Sequence, residues 1–352
     1  MLTINSVSKS LGEFSLSNVS LSIGDAEYFI VLGPTGAGKT ILLETIAGIY
    51  TPDTGRIFLN GRDITDVPAR ERNIGMVYQD YMLFPHLTVE ANVGFGLKSR
   101  RADHGFIQKK VQESAELLNI SHLLQRYPGT LSGGEQQRTA IARALVMEPE
   151  ALLLDEPLSA LDVKTRESLR AELARIHQAT GTTIVHITHN FEEVFDLADR
   201  VAIMRGGDVV QVGTPEEIFR RPNSDFVAGF VGVENLFSGT GSPDGTIAVG
   251  NIRIRVENSV TGSVSVAIRP EEILLSKRAL PENGRNVFSG RIDSVRPNGG
   301  LVRVSVDVGV PFQVTLTRQG FEEAGIASGD PVYLAFWPSA AHAYPTSVPE
   351  GA

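Results

Sequence analysis

Tyr28-Phe-Ile-Val-Leu-Gly33-Pro-Thr-Gly-Ala-Gly-Lys-Thr40 decides the fold. Its first five residues make a strand with no polar face, the kind that lies inside a parallel sheet. They run into G-x-x-x-x-G-K-[ST], a pattern whose backbone N–H groups curl around phosphate oxygens. Gly33, Gly36 and Gly38 permit the curl, with Pro34, Thr35 and Ala37 between them. Lys39 is placed to meet β- and γ-phosphates, and the Thr40 hydroxyl to bind Mg²⁺. Ile41 to Ala47 reads as a helix whose N-terminal dipole favours the anion. Strand, glycine loop and helix in this order predict a nucleotide site in an α/β domain.

Further along, Ala151-Leu-Leu-Leu-Asp155-Glu156 is an apolar strand ending in two carboxylates. Taken alone, that reads equally well as an acidic turn. Beside a phosphate loop, Asp155 becomes a Mg²⁺ ligand and Glu156 the group that polarises water. Other strands are expected at Ile74–Tyr78, Thr183–Ile187 and Val201–Met204, so β-rich and helical runs alternate as in a parallel-sheet α/β domain. Tyr81 to Leu145 is mainly helical, with Lys109–Leu118 the clearest case. A helical subdomain at about 80–145 is thus inserted between two strands. Val201–Met204, Gly206-Gly207 and Val209–Val212 read as a hairpin. Thr214-Pro215-Glu216-Glu217 then carries the signs of a helix start.

The 352 residues carry a net charge of −9, which disfavours nucleic acid as the main partner. There is no cysteine, hence no disulfide, thiolate metal site or thiol nucleophile. The first residues lack the pattern of a signal peptide, and no apolar run nears the roughly 18 residues of a membrane span. The expectation is a cytoplasmic chain that leaves any membrane part to another subunit.

From about Val233 the chain turns to short β-type runs with turn residues between them. Asn235-Leu-Phe-Ser-Gly239 recurs as Asn286-Val-Phe-Ser-Gly290, and Val266-Ala-Ile-Arg-Pro270 as Leu334-Ala-Phe-Trp-Pro338. The repeat predicts two related β units in one or two small barrels. The expected domains are 1–232 and 233–352.

Leu131-Ser-Gly-Gly-Glu-Gln-Gln-Arg138 lies between the phosphate loop and the acidic strand. With it the first part of the chain resembles the ATP-binding-cassette ATPases, whose signature motif this is. That resemblance implies a P-loop cassette with ATP and Mg²⁺. Gln79 would sense the γ-phosphate and Mg²⁺ and face a membrane subunit. Ser159-Ala-Leu-Asp162 would communicate across an ATPase dimer, and His189 would be the switch histidine acting with Glu156. Two copies would pair head to tail, so that Ser132, Gly133, Gly134 and Gln136 of one complete the phosphate site of the other. Relatives stack an aromatic on adenine where this chain has Leu11. Phe14, three residues on, is either the substitute or a core residue. Asn190 follows His189 where relatives often have Asp, and remains a good helix cap.

Phe230-Val-Gly-Val-Glu-Asn-Leu-Phe-Ser-Gly239, Ile268-Arg-Pro-Glu-Glu-Ile273 and the segment from Arg285-Asn286 to Thr315-Leu-Thr-Arg318 resemble importer ATPases that carry an oligonucleotide-barrel (TOBE/MOP-type) domain. The likeness is strongest to molybdate/tungstate importers; ferric iron, sulfate/thiosulfate, polyamine and sugar importers are the alternatives, and a soluble cassette acting on nucleic acid is a remote one. It implies permease partners, a periplasmic or surface binding protein acting indirectly, a place on the cytoplasmic face of the membrane, and an oxyanion as ligand of the β domain. Such relatives bind the oxyanion with a lysine where Trp337 stands here, and Gly284 replaces the small residue before Arg285-Asn286. The ordinary place for Trp337 is the barrel core.

Overall fold

The computed structural model describes residues 1–258 and 260–346. The chain divides into two compact units, the first Met1–Pro215 and the second from Glu216 onward. This boundary falls before the expected 232/233. Two short helices, Pro215–Arg220 and Asp225–Phe230, precede the β strands there. The first is tied into the second unit by Arg269, whose Nε and Nη2 donate to Phe219 O at 3.0 and 2.7 Å.

In the first unit a six-stranded sheet runs in the order 208–213, 200–205, 28–32, 183–187, 151–155, 74–77. All its pairings are parallel except the hairpin Arg200–Arg205/Asp208–Gly213. Tyr28–Leu32, Ala151–Asp155 and Thr183–Ile187 are buried at every position, as strands covered on both faces must be. The strand at Ile74 ends at Val77, one residue before the expected Tyr78.

A second, four-stranded antiparallel sheet takes Phe14–Ile23, Leu2–Leu11, Thr54–Leu59 and Arg62–Asp63. The sequence reading did not mark these strands. Leu2–Leu11 pairs with register shifts between Ile4 and Val7 and again between Val7 and Lys9, which break the apolar alternation. Its buried Leu2, Ile4 and Val7 share a core with Phe29, Val31, Leu153 and Ile187.

The helical insertion consists of Val89–Val93, Phe95–Ser99, His104–Leu117 and Gly133–Leu145. His104–Leu117 starts earlier than Lys109 because Asp103 caps it, accepting from the N–H groups of Gly105 and Phe106.

In the second unit the repeat is realised residue for residue. Asn235–Gly241 pairs with Gly262–Ile268, and Asn286–Asn298 with Pro331–Phe336. Phe237 faces Val266 as Phe288 faces Leu334. Each repeat then gives its last strand away. Leu274–Ser276 from the first joins Pro331–Phe336 of the second, and Ala341–Pro345 from the second joins Gly262–Ile268 of the first. The result is two five-stranded sheets over one apolar core.

Two buried asparagines link the two repeats. Asn235 Nδ2 donates to Ile268 O and Gln313 O, and its Oδ1 accepts from Gln313 N at 2.6 Å. Asn286 does the same in the other direction, donating to Arg255 O at 2.9 Å and accepting from Arg255 N at 2.7 Å. Trp337 is not in the core, correcting the expectation above. It is 47% exposed, and the Arg285 guanidinium lies 4.5 Å from its ring centroid. Its counterpart in the repeat is Arg269, so the position after the paired strand sits at the rim.

Candidate active site

Strand register gathers the chemistry. Val77 is level with Leu154, and Asp155 with Ile187, while Val31 is also level with Ile187. The carboxyl ends of four neighbouring strands therefore open on one edge, carrying Gln79, Asp155 with Glu156, His189, and Gly33. That edge is where ligands bind in open α/β sheets.

The loop after Leu32 has little freedom to change. Gly33 has φ 157° and a Cβ there would lie 2.4 Å from Met204 O. Gly38, at φ 96°, faces the ring of Phe14, whose Cζ would be 2.4 Å from an added Cβ. Phe14 is thus part of the packing beneath the loop, alongside the core it borders. Leu11 stands level with it across the hairpin. Pro34, Thr35 and Gly36 are exposed, and Ala37 N donates to Pro34 O at 3.1 Å.

Lys39 opens the helix Lys39–Ala47 and is buried. Its ammonium donates to Gly33 O at 2.8 Å and Pro34 O at 3.0 Å. Burial pushes its pKa down, while Glu156 and Asp155 pull it back up. Thr40 donates its hydroxyl to Asp155 Oδ1 at 3.3 Å. Asp155 is itself buried, which raises its pKa; the Thr40 bond opposes that, Glu156 adds to it and Lys39 opposes it. A buried carboxylate left short of positive charge, beside a hydroxyl, is a donor set that fits Mg²⁺.

Glu156 has φ 47°, a left-handed conformation unusual outside glycine, and its N–H donates to Ile187 O at 3.0 Å. This turn aims the carboxylate at His189, whose Nε2 lies 2.5 Å from Glu156 Oε1. Asn190 caps the following helix, accepting from Glu192 N at 2.8 Å. Gln79 is exposed just beyond its strand.

The signature segment stands apart from this edge. Ser132 caps the helix Gly133–Leu145 in a reciprocal box with Glu135. Gln136 donates to Leu131 O at 3.2 Å. A Cβ on Gly134 would lie 2.6 Å from Thr165 Cγ2, so a larger residue would not fit. Asp162 caps the helix Val163–Thr180 through Thr165 N at 3.1 Å. Among the described residues, neither Ser132 nor Gly134 hydrogen-bonds to Gly33–Thr40. The structure thus brings Lys39, Thr40, Asp155, Glu156 and His189 together, and leaves Ser132, Gly133, Gly134, Gln136 and Asp162 as a second group.

Sequence reasoning missed several neighbours. Glu44 lies one helical turn after Thr40, a spacing that would have revealed it. Burial and then the Asp155 charge raise its pKa, against the Tyr78 hydroxyl 3.5 Å away, whose own pKa is pushed by burial to about 12. Behind His189, buried His186 bonds Tyr28 Oη through Nδ1 at 3.0 Å and approaches Glu193 at 3.4 Å. No short motif announces that chain of groups.

The comparisons with known proteins give the family. The family model described as ABC transporter matches residues 16–159, and that described as TOBE domain matches 266–343. Over 346 residues the chain is 46% identical to the molybdate/tungstate import ATP-binding protein WtpC of Pyrococcus horikoshii, covering 98% of this chain and 100% of the relative. It is 41% identical over 349 residues to the spermidine/putrescine import ATP-binding protein PotA of Acidothermus cellulolyticus, covering 95% and 91%. A solved dimeric ATP-binding cassette in a post-hydrolysis state, bound to ADP and phosphate, matches with TM-score 0.55 and 30% identity. It covers 61% of this chain and 99% of that one. With a phosphate loop, an acidic strand end and a near full-length match, the chain belongs to the ABC transporter family, among its ATP-hydrolysing subunits that carry a TOBE domain.

Proposed function

We propose that this subunit powers the import of molybdate or tungstate from the cytoplasmic face of the membrane. The observation that carries the cargo is the 46% identity to a molybdate/tungstate import protein, which spans that relative's whole length and so includes its β domain. No described helix is long and apolar enough to cross a membrane, so transport calls for a permease partner. A groove of about 840 Å³ beside the Gln79 strand, lined by Met76, Phe95, Gly96, Ser99, Arg143 and Met147, is the surface we assign to it. A binding protein outside the membrane would act through that permease, and an oxyanion is the ligand class we assign to the second unit.

For hydrolysis, the loop N–H groups of Gly33 to Thr40 cradle the phosphates of ATP, and Lys39 exchanges its two carbonyls for β- and γ-phosphate oxygens. Thr40, Asp155 and Gln79 would hold Mg²⁺, which neutralises charge on the transferring phosphoryl group. Glu156 accepts the proton of the attacking water, and His189, 2.5 Å from it, holds its carboxylate in place. Ser132, Gly133, Gly134 and Gln136, with Asp162, serve the phosphate site of a second copy paired head to tail.

The test is uptake by the full transporter in liposomes with ATP inside. Labelled molybdate or tungstate should accumulate, sulfate and spermidine should not, and Glu156→Gln should stop it. Uptake of sulfate or spermidine instead would overturn the cargo.

A further inference from the structure

His186 is a polar residue where the fold asks for an apolar one. Its strand, Thr183–Ile187, is buried at every position, and His186 is level with Ile30 on one side and Leu154 on the other. Val185 and Ile187 turn to the core shared with the four-stranded sheet, so His186 points to the opposite face. An imidazole, a phenol and a carboxylate meet there almost without access to water: His186 is 0%, Tyr28 2% and Glu193 2% exposed. The phenol is itself fixed, its ring stacked on His177 with 5.3 Å between centroids. Tyr28 Oη lies 3.0 Å from His186 Nδ1, which leaves Nε2 for Glu193.

That second bond is approached and not made. His186 Nε2 and Glu193 Oε2 stand 3.4 Å apart, and among the described residues neither atom has a hydrogen-bond partner. An unpaired buried polar group carries its whole desolvation penalty, so two that face each other favour any movement that aligns them. Glu193 belongs to the helix Phe191–Leu197, which Asn190 caps directly after His189. Burial pushes the Glu193 carboxyl up, and His186 followed by the Thr188 hydroxyl brings it below the usual carboxylate range. Thr188 Oγ1 in turn accepts from Asn190 N at 3.0 Å. Thr188 and Asn190, on either side of His189, are thereby linked to one buried carboxylate.

We propose that Glu193 is the positioning residue of the His189 turn: its bond to His186 forms as the turn closes on ATP, and keeps His189 against Glu156. This rests on the roles given above to Glu156 and His189. Glu193 acts on hydrolysis only through His189, by anchoring the turn to the strand before it. Affinity for ATP, set by the phosphate loop at the end of another strand, is left alone.

The experiment is steady-state ATP hydrolysis by the full-length chain, in the parent and in the His189→Ala background. Glu193→Leu should lower kcat in the parent by about 10–100-fold, the factor that one hydrogen bond to a charged group supplies. It should leave KM for ATP within about twofold and change the slow His189→Ala rate by less than about twofold, because the two residues share one effect. Glu193→Gln, whose amide oxygen still accepts from His186, should keep kcat within about fivefold of the parent. An equal factor in both backgrounds would overturn the proposal, as would a Glu193→Leu kcat equal to the parent's or a Glu193→Gln as slow as Glu193→Leu. A merely structural residue would lower the melting temperature and slow both backgrounds alike. Should Glu193→Leu fail to fold, His186→Phe is judged by the same two comparisons. A His189→Ala rate equal to the parent's would sink the role given to His189; a slow His189→Ala with equal factors sinks that of Glu193 alone.

Discussion

His189 Nε2 and Glu156 Oε1 stand 2.5 Å apart, a close contact between the loops that follow two neighbouring strands. At that separation each side chain restricts where the other can point. Glu156→Gln should cut hydrolysis by about 10²–10⁴-fold, the span a general base contributes, while ATP affinity stays within about threefold. His189→Ala should lose a similar factor. Because the two act as one unit, the double variant should be little worse than either single one. Phosphate release and ATP binding on all three check this, and additive losses would mean that the residues work separately.

Asp155 gives a prediction of opposite signs for stability and activity. Its folded pKa lies above the unfolded value, chiefly through burial. Such a carboxyl favours the folded state at low pH, and that contribution is lost as pH rises from the ordinary carboxylate range through the raised value. At neutral pH the protein without nucleotide holds an ionised, poorly solvated group. Asp155→Asn should then stabilise it by on the order of 1 kcal/mol at pH 7 and abolish the extra melting temperature given by Mg·ATP. Thermal melts with and without Mg·ATP measure both. A lower melting point for the nucleotide-free variant would refute the electrostatic account.

Phe14 presses on Gly38. Phe14→Ala should remove packing under the phosphate loop, destabilising the first unit by about 1–3 kcal/mol, below the value for a fully buried ring. Because the ring supports the loop, ATP and GTP should lose affinity by the same factor. A loss confined to ATP would instead make Phe14 an adenine contact.

Asn286 is 3% exposed and binds both the N–H and the C=O of Arg255. Asn286→Ala should cost about 0.5–1.5 kcal/mol, because it removes the partner of both the N–H and the C=O of Arg255 in a part-buried place. Asn235→Ala should cost a similar amount for the matching reason. Urea unfolding of the full chain, followed by the fluorescence of Trp337, reads the second unit selectively. A shift within error for both variants would mean that water replaces the amides.

Legibility in the sequence followed burial. Tyr28–Leu32 and Thr183–Ile187 were readable to the residue because strands covered on both faces are apolar throughout. Leu2–Leu11 was not, since its register shifts scramble the alternation that marks a half-exposed strand. Lys39, Asp155 and Glu156 were found through spacing within short motifs. Tyr78 and Arg143 escaped because they reach the site or its segments by tertiary contact, with no motif of their own, whereas Glu44 could have been found from its helical spacing after Thr40. The repeat in the second unit was visible through Asn235 and Asn286, yet the exchange of final strands depends on long-range pairing that sequence likeness does not encode. Trp337 misled because a large aromatic usually goes inside, whereas its equivalent in the repeat is a rim arginine.

That exchange of strands also sets the timing of folding. As the chain leaves the ribosome, Gly262–Ile268 emerges with one edge still open. Its missing neighbour, Ala341–Pro345, is made only after the whole second repeat. The first repeat thus waits, an unpaired apolar-faced sheet, until late in synthesis, and neither repeat is a folding unit by itself. Premature termination after Ile268, or a cut within 269–340, would leave a sticky edge open to pairing with other chains.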